Sequence, residues 1–292
     1  MTKQTIAVII PTLNRTFAVY NAALLLLHGK RPPDELIIVD QTPEDERNFI
    51  AFSELKALCN SGRCNYLFTD IKSVVHARNL GAANSNADIL IFIDDDVFLP
   101  YEFLDRYILL FNDPGLAAAT GMVLISECDD GTFKPLVQME SCPDEPTMLR
   151  GGNFAIRRSI FLSLGGMDEN FLGASNYEDW DLAWRLHKAG YRAVWDPGPW
   201  IYHLHLPSGG GRQQHIRAFW EYAYNVHYFT FRHQKALGAL AGMFRRTLRQ
   251  FVFNKSNFFQ PWYLPFRLIA LASAIRFARF TAKAGPRLPF YR

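Results

Sequence analysis

Four short apolar runs, separated by helical stretches, constrain this chain more than any other feature. They are Ile6-Ala7-Val8-Ile9-Ile10, Leu36-Ile37-Ile38-Val39, Tyr66-Leu67-Phe68 and Ile89-Leu90-Ile91-Phe92-Ile93. Continuous apolar runs of this length mark strands buried on both faces, because a half-exposed strand would alternate with polar residues. Helical patterns over 17–28, 46–59 and 74–83 lie between them. The alternation predicts an α/β fold, a Rossmann-like, mostly parallel sheet flanked by helices, with right-handed crossovers. Such sheets bind ligands beyond the carboxyl ends of their strands. Asp40, Asp70 and the triplet Asp94-Asp95-Asp96 follow strand ends, so they are expected along one edge.

Charge divides the chain where hydrophobicity does not. Residues 206–292 carry 14 Lys and Arg against one acid, Glu221, whereas residues 1–205 carry 17 basic and 27 acidic residues. The tail also holds 19 of the 42 aromatic residues, a second sign of a distinct segment. Pro207-Ser208-Gly209-Gly210-Gly211 breaks any regular element at the junction. Two units are therefore expected: a catalytic domain over 1–205 and a basic, aromatic-rich helical extension over 206–292. With 49% hydrophobic and 20% charged residues, the chain is not a disordered one. Four cysteines without a CxxC pair predict neither a disulfide scaffold nor a structural zinc site, and fit a reducing compartment. The apolar run before Pro11 is too short for a signal peptide, and no window has the ~18 consecutive apolar residues of a spanning helix. The chain has no GxxxxGK[ST] and no GxGxxG, so neither a P-loop nor a dinucleotide fingerprint is expected.

Three clusters carry chemistry. Three adjacent carboxylates at Asp94-Asp95-Asp96 repel one another; either they form a solvated acidic turn or they face a divalent cation, which prefers oxygen ligands. Glu178-Asp179 opens a helical pattern ending at Gly190. Acids in a first turn favour the helix dipole without any function, and a carboxylate held there also suits a general base. In Tyr202-His203-Leu204-His205 the imidazoles alternate, so on a strand both face one side, as packing residues or as metal ligands.

Their order is more specific than any member. The chain reads Ile9-Ile10-Pro11-Thr12-Leu13-Asn14-Arg15, Ile38-Val39-Asp40, Ala77-Arg78-Asn79-Leu80-Gly81, Ile93-Asp94-Asp95-Asp96, Arg150-Gly151-Gly152-Asn153-Phe154-Ala155, Gly165-Gly166-Met167-Asp168-Glu169, Glu178-Asp179-Trp180-Asp181-Leu182 and His203. Over residues 6–205 this strongly resembles the family 2 inverting glycosyltransferases with their GT-A fold. The resemblance implies that Pro11, Thr12, Asn14 and Arg15 border a nucleotide pocket. It implies that Asp40 accepts the N3–H of a uracil or thymine, a donor that cytosine lacks. Arg78 and Asn79 would brace the acidic loop and the nucleotide, Asp94 would contact ribose or sugar, and Asp95 is ambiguous within the triplet. Asp96 and His203 would hold Mn²⁺ or Mg²⁺, with His205 as runner-up. Gly151 and Gly152 would lie beside the donor sugar. Asp179 would be the base that deprotonates the acceptor hydroxyl, with Glu178 placing the acceptor or the loop.

The expected activity is therefore inverting, metal-dependent transfer of a sugar from a nucleoside diphosphate, UDP before dTDP, to a glycan or a lipid-linked saccharide. A nucleotidyltransferase and a non-catalytic membrane-surface scaffold are the alternatives. In the extension, helices are expected over 216–242 and 263–284, the second with Leu264, Leu268, Leu271 and Ile275 on one face. Arg245, Arg246, Arg249 and Lys255 interleave with Phe244, Phe251, Phe253, Phe258, Phe259 and Trp262. That composition suits an anionic membrane surface better than nucleic acid, and a helical cap on the catalytic domain is the plainer reading. The expected location is the cytoplasmic face of a membrane, with segment 207–212 as a loop able to close over the donor.

Overall fold

A computed structural model describes residues 4–126, 133–135, 148–173, 176–206, 208–210, 216–234, 237–249 and 264–290. The four predicted strands become β1 (Ile6–Thr12), β2 (Glu35–Asp40), β3 (Asn65–Phe68) and β4 (Ile89–Ile93), and they pair in parallel in the order β3-β2-β1-β4. Between them run α1 (Thr16–Leu27), α2 (Phe49–Asn60) and α3 (Val74–Ala83). The sheet continues with β5 (Val97–Phe98), β6 (Leu116–Ser126), β7 (Phe133–Pro135), β8 (Asn153–Arg157) and β9 (Arg192–His203). The complete order is β3-β2-β1-β4-β8-β6-β9-β5, with β7 on β6. In this second half β8 runs antiparallel to β4 and β6, and only β6 and β9 pair in parallel, so the sheet as a whole is mixed.

Burial on both faces explains why the first strands read as unbroken apolar runs. Ile6, Val8 and Ile10 of β1 enter a core with Ile38, Ile91 and Ile93, under α1, α2 and α4 (Phe103–Phe111). Ala7 and Ile9 point the other way, into a core with Val39, Leu90, Phe92 and Phe154. The period-2 alternation thus sorts neighbouring residues between two apolar layers. On the second face α3 approaches β1 closely: a Cβ at Gly81 would stand 2.5 Å from Ile9 Cγ2. Ser73 caps α3, accepting the His76 N–H at 3.3 Å. The same face takes α5 (Arg158–Ser163) and α6 (Glu178–Lys188).

The extension packs on that layer. Ala223, Tyr224, Val226, Tyr228 and Phe229 of α7 (Ile216–His233) are buried in the same core, with Leu271, Ala274 and Ala278 of α9 (Leu264–Ala284). Where the sequence predicts one helix over 216–242, the chain forms α7 and then α8 (Leu237–Thr247). The face expected for α9 is also corrected. Leu268 is exposed, and the buried stripe is Leu271, Ala274 and Ala278, because the two alanines let α9 lie close against α7. Part of the basic and aromatic run, residues 250–263, lies outside the described residues, as do Cys128 and Cys142. Cys59 and Cys64 form a disulfide joining the end of α2 to the start of β3, a pairing the sequence reading did not expect.

Candidate active site

The acidic triplet sits at the end of β4, and three basic side chains from distant segments reach it. Arg15, at the start of α1, places Nη1 2.9 Å from Asp96 Oδ2 and 3.2 Å from Asp95 Oδ1. Arg78, on α3, places Nη2 3.1 Å from Asp94 Oδ1. His203, the last residue of β9, places Nε2 2.8 Å from Asp96 Oδ1 and 3.8 Å from Asp94 Oδ2. Asp95 and Asp96 are buried, whereas the Asp94 side chain is 31% exposed. Burial pushes the Asp95 carboxyl up to about 7, against the Thr12 hydroxyl that donates to it at 2.7 Å and the charge of Arg15. Burial acts on Asp96 in the same sense, but the hydrogen bond and charge of His203 and the charge of Arg15 outweigh it and hold that carboxyl below its ordinary range.

The base candidate lies on the other side of Arg78. The same guanidinium bonds Glu178 Oε1 at 3.1 Å and the Gly151 carbonyl at 2.6 Å. Asp179, in the first turn of α6, accepts the Gly151 N–H at 2.9 Å and the Trp180 N–H at 2.9 Å. Burial raises its pKa, opposed by the Gly151 N–H and the Arg78 charge. A raised carboxylate pKa makes a stronger base. Tyr177, just before it, holds a positive φ of 77°, a backbone conformation unfavourable for an aromatic residue and kept by its packing on Trp180 and Phe229. Gly152 must lack a side chain, since a Cβ there would stand 2.6 Å from Asp94 Oδ2. At Gly151 the neighbours are Arg78 and Glu178. Both glycines thus abut the site's own side chains.

A cleft of about 250 Å³ opens among these groups, lined by Pro11, Thr12, Arg15, the triplet and His203, with Gln41 and Lys72 across from them. Four expected residues sit differently. Asp40 is buried; it accepts the Tyr66 hydroxyl at 2.7 Å and the Thr42 N–H at 2.9 Å, with Arg47 Nε 3.6 Å away, so Gln41 rather than Asp40 lines the cleft. Asn79 spends its amide on Met167, donating to its carbonyl and accepting its N–H, both at 2.9 Å, and therefore anchors the Gly165–Glu169 motif instead of reaching the cleft. Asn14, at a positive φ of 56°, donates its side chain to Glu46 and its backbone N–H to Thr42. His205 leaves the strand alternation, because β9 ends at His203 and His205 takes a φ of 52°; its ring rests edge-on against His203, 4.3 Å between centroids. Sequence reasoning missed Gln41 and Lys72, which belong to no motif and reach the cleft only through the ends of β2 and the loop before α3.

A divalent cation fits this donor set. Asp94 and Asp96 offer hard carboxylate oxygens, and His203 offers an imidazole nitrogen facing both. Among the described residues no three such side chains close into a finished cage, so further ligands would come from a bound diphosphate or water.

Residues 7–173, more than half of the chain, match the family model described as Glycosyl transferase family 2. The chain belongs to that family. The chain is 25% identical over 215 residues to the O-antigen chain rhamnosyltransferase WbaN of Salmonella anatum, covering 68% of this chain and 65% of WbaN. It is 25% identical over 226 residues to polypeptide N-acetylgalactosaminyltransferase 8 of Drosophila melanogaster, covering 68% of this chain and 38% of that one. The match thus spans less than two thirds of either curated relative. Its fold resembles S. aureus TarS in complex with UDP-GlcNAc (TM-score 0.65, 14% identity, 96% of this chain and 83% of the other). It also resembles the mannosyltransferase PcManGT of Pyrobaculum calidifontis in complex with GDP-Man and Mn²⁺ (TM-score 0.58, 17% identity, 97% and 79%). The GT-A fold expected from the ordered motifs is therefore that of this chain, and the family is the one their order resembles.

Proposed function

We propose that this glycosyltransferase moves a sugar, with inversion, from a nucleoside-diphosphate donor to a hydroxyl of a glycan or glycolipid, with Asp179 as general base. The observation that carries the reading is Arg78, which ties Asp94 of the triplet to Glu178, the neighbour of the base candidate, within one side chain's reach. Donor charge on one side and a proton acceptor on the other is the arrangement a single displacement requires. Asp179 takes the acceptor proton as the oxygen attacks the anomeric carbon, so no nucleophilic side chain is needed. The Gly151 N–H holds that carboxylate in place, and Arg78 opposes the rise in its pKa that burial causes.

Asp94, Asp96 and His203 would hold Mn²⁺ or Mg²⁺, which would neutralise the charge gathering on the departing nucleoside diphosphate. Mn²⁺ in PcManGT supports this choice of ion. UDP is the first nucleotide and dTDP the second, on the resemblance at Asp40, and TarS with UDP-GlcNAc supports UDP. Binding a pyrimidine N3–H at Asp40 would require the Tyr66 hydroxyl or Arg47 to give way. Attachment to an anionic membrane surface on its cytoplasmic face belongs to the same reading. No described helix is long and apolar enough to cross a membrane, and α9 exposes Phe277 and Phe280 beside Arg276, Arg279 and Lys283.

The test is a donor screen with UDP-, dTDP- and GDP-sugars, scored by nucleoside-diphosphate release with Mn²⁺, with EDTA, and with Mn²⁺ restored. Turnover of a UDP-sugar that EDTA abolishes and Mn²⁺ restores is the expected outcome. Turnover unaffected by EDTA would remove the metal role, and turnover of a GDP-sugar alone would remove the pyrimidine assignment.

A further inference from the structure

A second cavity, of about 630 Å³, adjoins the cleft and takes no part in the site described so far. Gly173 and Lys72 line both cavities, so the two meet there. Gly173 has a positive φ of 70°, and a Cβ on it would run into the Glu221 carboxylate; only glycine leaves this junction its shape. Away from the junction the wall is apolar. It is made by Trp220 of α7, whose ring stacks on Tyr224 at 5.5 Å and 5°, and by Phe266 and Ile269 of α9. Phe266 is 59% and Ile269 67% exposed, an apolar edge left open to solvent at the cavity's outer rim. Near the junction the charged groups are Lys72 and Arg217, with Glu221 bonded to Arg217 at 3.1 Å. Glu221 is the one acid among residues 206–292, which carry 14 basic residues.

An open apolar rim, an aromatic wall and cations toward the donor cleft make a gradient that a purely polar glycan would not use. We propose that this cavity binds an anionic-headed amphiphile, a lipid phosphate or diphosphate that carries the acceptor hydroxyl, with its chain along Phe266 and Ile269 and its phosphate at Arg217 and Lys72. The inference rests on the glycosyl-transfer reading and deepens it by naming the acceptor class and its site. The charge balance of residues 206–292 favours an anionic head over a neutral one, and the continuity at Gly173 and Lys72 brings the head to the donor.

The full chain is titrated with decyl phosphate below its micelle concentration, followed by tryptophan fluorescence and calorimetry. Inorganic phosphate and the neutral decyl glucoside are titrated alongside, and UDP with Mn²⁺ on the same samples. Decyl phosphate is expected to saturate at one per chain. Arg217→Glu and Ile269→Glu should each weaken it by roughly tenfold, while Arg217→Lys should retain it. Equal binding of decyl glucoside, unmoved by Arg217→Glu, would overturn the anionic head; equally tight inorganic phosphate would overturn the amphiphile; absence of saturation would overturn the site. If UDP binds and decyl phosphate does not, the acceptor assignment fails and the donor reading stands. If decyl phosphate binds and no nucleoside diphosphate does, the transfer reading fails and the cavity remains an amphiphile site.

Discussion

Two buried acidic clusters in this molecule use the same side chains to opposite ends. At the cleft, Asp94, Asp95 and Asp96 meet Arg15, Arg78 and His203. Beneath α7, Asp168 and Asp181 meet Arg232, Arg185, His233 and Tyr228. Arg232 bonds Asp168 closely, the Tyr228 hydroxyl donates to it at 2.7 Å, and the Arg287 N–H reaches it at 2.8 Å. Asp181 holds Arg185 Nε and His233 Nε2, each at 2.7 Å. Both carboxylates are fully buried, with partners contributed from within the fold. At the cleft Asp94 stays partly open, and the glycine beside it leaves it room. A fully buried cluster fastens one layer to another, whereas an incompletely covered one can exchange partners for a ligand. Asp179 and Asp181 stand two residues apart on one helix, yet Asp179 holds the Gly151 and Trp180 N–H groups whereas Asp181 holds Arg185 and His233.

The largest separation should come from Asp179 of α6 and Asp168 beneath α7. Asp179→Asn is expected to lower transfer by about 10²–10⁴-fold, the usual worth of a general base, with nucleoside-diphosphate binding retained by calorimetry. Comparable loss of binding would place Asp179 with the donor instead. Asp168→Asn should do the reverse, costing about 3–5 kcal/mol of stability as a buried pair left without its partner, with donor KM unchanged in the protein that remains folded. An unaltered denaturation midpoint would remove the fastening role.

Acid sharpens the comparison further. Burial alone would raise the Asp181 pKa, but Arg185, His233 and Arg232 prevail and bring it from 3.8 to about 2. Its folded pKa lies below its unfolded one, so its contribution is complete above about pH 4 and is lost as pH falls toward 2. That contribution amounts to about 2 kcal/mol. Acid titration of wild type and Asp181→Asn should show the difference between them shrinking through that window, and a constant offset would refute the linkage. The smallest effect is expected from Tyr228→Phe, which removes one hydroxyl from Asp168 and should cost about 1 kcal/mol, read as a lowered denaturation midpoint without a change in kcat.

The parts legible in the sequence were those whose signal is local. β1 to β4 are buried on both faces and so read as unbroken apolar runs. The second half of the sheet was hidden, because β6 opens on Leu116-Ala117-Ala118-Ala119, which is weakly hydrophobic, and β9 is mostly half-buried and contains Pro197-Gly198-Pro199. In the site, Asp94, Asp96 and His203 came together at the cleft, whereas Asp179 does not line it and is linked to Asp94 only through Gly151 and Arg78. Asp40 and Asn79 did not reach the cleft, because Tyr66 and the Met167 backbone, distant in sequence, claim them. His205 was misread because alternation holds only while the strand continues, and the strand ends at His203.

Composition, apolar periodicity and short motifs therefore determined the α/β class, the parallel half of the sheet, the basic tail and the chemical residue types at the strand ends. Each of these depends on neighbours a few positions away. Which carboxylates stay open to a ligand was decided only by the tertiary structure. The cations that neutralise them arrive from α1, α3, β9 and α7, and an aspartate's role here follows from which of those distant groups reaches it and how completely water is excluded when it does.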